Sequence, residues 1–131
     1  MAKYSYPAIF TPEESAYSVR FPDLEGCYTC GDNLTDALYM AEDVLAFTLY
    51  DYEKENVAAP APSDPKDIRL RRGEFVNLIP CDTLEYHKMN NTRAIKKTLS
   101  IPEWLNERAL EANINFSQVL QEALKAKLGL L

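Results

Sequence analysis

A chain of 131 residues that is 47% hydrophobic and 26% charged can form one ordinary domain or two small ones, and it has the make-up of a globular rather than a disordered protein. Its net charge of −6 argues against nucleic-acid binding by the chain as a whole, three cysteines are too few for a disulfide framework, and no apolar run nears the roughly 20 residues that span a bilayer. Residues Met1 to Tyr6 lack the apolar core of a signal peptide, so a cytoplasmic protein with no membrane partner is expected.

Along the chain, Tyr4, Tyr6, Ala8 and Phe10 alternate with Lys3, Ser5 and Ile9, the pattern of a half-buried strand. Thr11 to Ser15 reads as a turn. Tyr17, Val19 and Phe21 alternate with Ser18 and Arg20, which predicts a second strand and a hairpin. Pro22 to Gly26 ends it, and a short third strand spans Cys27 to Cys30 before Gly31-Asp32.

Asn33 is a natural helix N-cap, and Asp36 stands where a capping box places its acid. Leu34, Ala37, Leu38, Ala41, Val44, Leu45, Thr48 and Tyr52 recur at helical spacing and should cover the sheet, with the helix ending near Asn56. Tyr39 and Tyr50 project on the other side, with Asp43 and Ala46 between them and Phe47 to one side. Aromatics among acids suit a protein interface, which makes Tyr39, Asp43, Phe47 and Tyr50 the candidate partner-contact residues; solvated tyrosines are the plain alternative.

Ala58 to Asp67 is a Pro-rich loop. Arg69, Arg71 and Arg72 follow, as a solvated approach to a strand or a phosphate patch. Phe75 to Ile79 suits a buried strand. Residues from Asp82 to Arg93 turn polar, and a hinge is expected at 89–93, dividing the chain into domains 1–88 and 94–131. The charge divides in the same place. Residues 1–88 carry eight basic and sixteen acidic side chains, net −8, whereas 89–131 carry six and four, net +2. An acidic front half and a mildly basic tail suggest two different partners.

The tail reads as one strand and two helices. Over Ala94–Ile101, Leu99 and Ile101 point one way and Lys96, Thr98 and Ser100 the other. Pro102 opens a helix bearing Trp104, Leu105 and Ala109. Asn113 to Asn115 breaks it, and a second helix turns Leu120, Ala123, Leu124 and Leu128 inward until Gly129 stops it. So short a segment cannot bury its own core and should pair with a second copy. The paired strands would form a ribbon of the size that enters a DNA major groove. The candidate DNA-binding residues are therefore Lys96, Thr98 and Ser100 on the ribbon, Arg93 before it, and Asn115 and Ser117 at the second helix start, where free amides suit a phosphate.

Catalytic and metal chemistry are weakly signalled. Cys27 and Cys30 form a lone Cys-x-x-Cys, with only Cys81 and His87 to complete a zinc site. Structural cysteines are the better reading, and no metal or cofactor is expected. Asp23, Glu25, Asp32 and Asp36 sit in turns and at a helix start rather than converging as a two-metal nuclease requires.

With these residues in place the chain resembles the HicB family of toxin–antitoxin antitoxins. In the first half the resemblance rests on Tyr6-Pro7-Ala8, on Phe21-Pro22-Asp23-Leu24-Glu25-Gly26-Cys27, on Gly31-Asp32, and on Ala37-Leu38 with Ala41. In the second half, Lys97 to Leu105 and Phe116 to Leu124 look like the ribbon-helix-helix tail of one HicB subgroup. The departures are Asn33 and Asp36 at the helix cap and the extra Cys30.

The resemblance implies an α+β chain: a partial, non-catalytic RNase-H-like domain of βββαβ order, then a βαα ribbon-helix-helix dimerisation domain. It implies a small HicA-like toxin as partner, an RNase that cuts messenger RNA and whose active site the antitoxin covers. It also implies that the tail forms a homodimer on operator DNA and represses its own operon. The competing reading is a stand-alone ribbon-helix-helix regulator whose front domain binds a ligand or another protein.

Overall fold

Four strands and two helices make the first part of the chain: β1 (Lys3–Pro12), β2 (Tyr17–Arg20), β3 (Tyr28–Gly31), α1 (Leu34–Lys54), β4 (Phe75–Asp82) and α2 (Thr83–Asn90). A single 3₁₀ turn at Pro65–Asp67 interrupts the long loop before β4. The structure, a computed structural model, describes residues 2–130, and the chain divides into two units, Met1–Arg93 and Ala94–Leu131.

The strands form one antiparallel sheet in the order β3-β2-β1-β4. The expected β1–β2 hairpin is present, with Ile9 opposite Arg20 and Pro12 opposite Tyr17. β4 pairs with β1 from Lys3–Asp82 to Phe10–Phe75. This makes β1 a central strand, and it is buried through Tyr6–Phe10 rather than on one face as its alternation predicts. Pro7 fits there because the ladder to β2 begins only at Ile9, so one side of β1 has no partner at Pro7.

One face of the sheet carries Tyr6, Ala8, Phe10, Val19, Ile79 and Cys81 against Ala37, Ala41, Leu45 and Leu49 of α1. Small residues at the start of α1 let it lie close to the strands. An ideal Cβ on Gly31 would sit 2.3 Å from the Ala37 nitrogen, so a glycine is required where β3 meets the first turn of the helix. Asn33 Oδ1 accepts from the Asp36 amide at 2.8 Å, and the Asp36 carboxylate accepts from the Asp32 amide at 2.9 Å. This is the expected cap, with the returning bond shifted one residue outward.

The second unit consists of α3 (Glu103–Glu111) and α4 (Phe116–Lys127), preceded by an irregular stretch. Asn115 caps α4 by accepting from the Gln118 amide at 3.1 Å. Both helices end in the same way as α1. Asn56, Asn113 and Gly129 take left-handed φ of 56°, 57° and 72° just past α1, α3 and α4. The next amide then reaches back five residues: Val57 to Tyr52, Ile114 to Ala109 and Leu130 to Lys125, at 2.8–3.0 Å.

The polar run from Asp82 onward opens with a helix. Thr83–Asn90 is helical, so Met89 and Asn90 of the expected hinge belong to α2. Residues 94–101, where a strand is expected, form none within the single chain.

Candidate functional site

The four residues read as a partner face on α1 are separated by α2. Tyr39 and Phe47 are 70% and 54% exposed. Tyr50 is half-buried, with its ring 5.2 Å from that of Tyr86 and 4.3 Å from that of His87. Burial pushes the Tyr86 phenol up, and the charges of Asp43 and Asp51 add to the shift. Ala46 and Leu49 are buried instead of Leu34 and Leu38, which turns the inner stripe of α1 toward α2 relative to the expected one.

The helix responsible was marked in the sequence. Asp82 accepts from the Leu84 amide at 3.0 Å, and Glu85 follows three residues after the cap. Eight residues of weak amphipathicity hid it. A polar cluster fastens α2 at its start. Glu53 Oε1 accepts from Thr83 Oγ1 at 2.7 Å and from Tyr4 OH at 3.1 Å, and Oε2 faces His87 Nε2 at 3.4 Å. Burial would raise the Glu53 carboxyl, but the hydrogen bonds outweigh it and the group lies below its ordinary value.

Of the acids read in turns and at the helix start, Asp23, Asp32 and Asp36 have structural partners. Asp23 accepts from the Ser63 amide at 2.9 Å and from its hydroxyl, which holds the Pro-rich loop; Tyr6 OH donates to the Pro60 carbonyl in the same loop. Asp32 and Asp36 make the α1 cap. Cys27 and Cys81 are buried and Cys30 is exposed. Burial raises the Cys27 thiol, although Thr48 Oγ1 donates to Sγ at 3.3 Å, and Cys81 is pushed up to about 11. Buried thiols held protonated suit core packing. Among the described residues no group of three or more His, Cys, Asp or Glu side chains could hold a metal ion. Arg69, Arg71 and Arg72 are exposed at the approach to β4.

Arg93, at the end of the first unit, and Lys96, Thr98, Ser100, Asn115 and Ser117 of the second are all exposed. Asn115 is less available than expected, since its oxygen holds the Gln118 amide. Ser117 Oγ accepts from Gln121 Nε2 at 3.2 Å and keeps its own proton to donate. The amides of Phe116 and Ser117 open α4, where no intrahelical acceptor exists. No described residue of this unit is buried. Leu99, Trp104, Leu110 and Leu124 are 59%, 66%, 58% and 51% exposed.

A family model described as the HicB-like antitoxin of bacterial toxin–antitoxin systems matches residues 6–124, from β1 to α4. The chain belongs to the HicB-like antitoxin family. It spans about two fifths of the length of the curated relatives it matches. Antitoxin HicB 2 of Photorhabdus laumondii is 36% identical over 58 residues, 44% of this chain and 42% of that one. A chain of a toxin–antitoxin complex from Streptococcus pneumoniae is 30% identical with a TM-score of 0.63, covering 96% of this chain and 99% of that one. A chain of the HicA3 and HicB3 toxin–antitoxin complex is 25% identical with a TM-score of 0.51, covering 60% and 99%. The mixed α+β architecture with its four-stranded antiparallel sheet is thus that of HicB antitoxins. Among the described residues no helix is long and apolar enough to cross a membrane.

Proposed function

We propose that this HicB-like chain is the antitoxin of a type II toxin–antitoxin pair. Its first unit binds and inhibits a HicA-like, mRNA-cleaving RNase, and its second unit pairs with a second copy as a ribbon-helix-helix that represses the operon encoding both proteins. The chain acts through two binding surfaces and catalyses nothing itself. Two similar chains belong to complexes named as toxin–antitoxin complexes, which supports the toxin partner. The excess of acid in the first unit adds to that support, because an RNase that holds a polyanion presents a basic face.

One observation carries the repressor half of the reading: a unit of two helices and a preceding irregular segment that buries none of its described residues. At ~25 cal/mol per Å² of apolar surface, such a unit gains its stability by covering that surface with a second copy. Antiparallel pairing of 94–101 in the dimer would set Lys96, Thr98 and Ser100 on the outer face of a ribbon, with an amine and two hydroxyls to meet base edges. Arg93 and the amides of Phe116 and Ser117 would meet phosphates, with Asn115 holding the helix start open and Ser117 adding its hydroxyl.

The test is co-purification. The chain is tagged and expressed with the small open reading frame beside its gene, and the eluate is assayed for RNase activity before and after denaturing the complex. A small protein that co-elutes and cuts RNA only once freed is the expected result. A chain that elutes alone yet binds operator DNA would overturn the antitoxin role in favour of a stand-alone regulator.

A further inference from the structure

Within the first unit, the second half of α1, the Glu25–Gly26 turn and the segment after the helix enclose a groove of about 400 Å³. Phe47, Tyr52 and Val57 supply its apolar lining, and Glu25, Asp51 and Glu55 its charge. Phe47 and Val57 are more than half exposed, an unfavourable state for an aromatic and a β-branched side chain that face each other's groove. No Lys or Arg lines the groove, and among the described residues none of the three carboxylates takes a basic partner.

Phe47, Asp51 and Glu55 recur at four-residue spacing, so they form one stripe of the helix. α2 packs against Tyr50 and leaves Phe47, Asp51 and Glu55 exposed. Three uncompensated carboxylates in a concave, partly apolar site create a negative potential that selects a cation. The apolar lining asks for more than a hydrated ion. A guanidinium satisfies both demands: its plane stacks on the Phe47 ring, its stem packs on Val57, and its N–H groups reach the carboxylates. RNA is a poor occupant, since each phosphate would meet like charge.

We infer that this groove receives an arginine-bearing basic segment of the toxin partner. The inference rests on the antitoxin reading and deepens it, because residues that a basic RNase uses toward phosphate would be drawn onto carboxylates instead. It also gives Phe47 a role apart from that of Tyr39, Asp43 and Tyr50.

The test uses the full chain and the small protein encoded beside it, with affinity measured by titration calorimetry at low and high salt. The double variant Asp51→Lys with Glu55→Lys should weaken the complex by about a hundredfold or more and flatten its salt dependence. Phe47→Ala should weaken it about tenfold without changing that dependence. Asp51→Asn with Glu55→Gln preserves side-chain shape and should give a smaller loss in the same direction. Reversal of the inserted toxin arginine to glutamate should restore binding to the double-lysine variant. Unchanged affinity in all three variants, with the wild-type complex intact, would overturn the groove while leaving the antitoxin reading standing. No complex with the wild-type chain would overturn the antitoxin reading itself, and the inference with it. Altered self-association at unchanged toxin affinity would assign the groove to a second copy of this chain and also overturn the inference.

Discussion

Arg20 and Glu74 meet in a two-pronged ion pair: Nη1 donates to Oε2 at 2.8 Å and Nη2 to Oε1 at 3.3 Å. The same carboxylate accepts from Thr11 Oγ1 at 2.7 Å and from the Arg71 amide at 2.8 Å. One side chain therefore joins β2, β1 and the loop that leads into β4. Arg20 foremost, then the Arg71 amide and Thr11, hold the Glu74 carboxyl at about 2, against an ordinary 4.5. A carboxyl with a depressed folded-state pKa stabilises the fold fully above its unfolded value and loses that contribution as pH falls through the folded one. Glu74→Gln should thus destabilise the chain at neutral pH. The gap between variant and wild type should close between about pH 4.5 and 2. Urea unfolding across that range checks it, and a constant gap would show that the pair does not act through charge.

Gly31 is held to glycine by a neighbour and not by its own backbone angle. The Ala37 backbone lies where a side chain would start, and the start of α1 cannot shift without breaking the Asn33–Asp36 cap. Gly31→Ala should destabilise the first unit by about 3 kcal/mol, the upper range for overpacking against a rigid neighbour. Thermal or urea unfolding measures this. A loss within about 0.5 kcal/mol, the range of a neutral surface change, would mean that helix and strand stand further apart than the structure has them.

The fastening of α2 gives a third expectation. Tyr50 provides ring contacts to both Tyr86 and His87. Tyr50→Ala should lower stability by about 1–3 kcal/mol through lost aromatic packing, and it should speed amide exchange over 84–90 before any other helix opens. Equal exchange in wild type and variant would place the hold on α2 elsewhere, in the Glu53–Thr83 hydrogen bond.

Much of this architecture was legible from local rules, and the failures have physical causes. Alternation marked β1 and β2, and Asn33 with Asp36 marked the start of α1. What alternation cannot report is how many neighbours a strand has. β1 becomes a central strand through β4, which pairs with it 65 or more residues later in the chain. The inner stripe of α1 was misjudged for a related reason. Ala46 and Tyr50 look outward until α2 is known to lie there, and α2 is too short for periodicity to reveal. The groove around Phe47 was out of reach altogether, because Glu25 and Val57 come to it from opposite ends of α1. The tail was legible in another sense: its apolar residues outnumber what two short helices can cover.

The row of the tail proposed to read DNA gives the next expectation. Lys96, Thr98 and Ser100 are exposed, and the residues between them are apolar or face the other way in an extended chain. Each good base-edge contact contributes about 1–3 kcal/mol of discrimination. Replacing all three with Ala should reduce operator affinity by at least a hundredfold while the dimer and toxin binding persist. Lys96→Ala alone should mainly lower the salt dependence. Electrophoretic mobility shifts with operator and scrambled DNA separate these effects, and specific binding that survives the triple change would remove the ribbon assignment.

Removal of the tail tests the division of the chain. Among the described residues the first unit holds all of the buried core, and hydrogen bonds such as Thr83 to Glu53 and Arg20 to Glu74 close within it. No described residue of the second unit belongs to that core. A fragment of residues 1–93 should therefore fold, melt cooperatively within a few degrees of the intact chain, and still bind toxin. It should also sediment as a smaller species than the full chain, because the surface proposed to bind a second copy has gone with Leu99, Trp104 and Leu124. A fragment that fails to fold would make the tail part of the core's support. One that folds yet stays in the same oligomeric state would place self-association in the first unit instead, and the ribbon would then lose the covering copy its apolar residues call for.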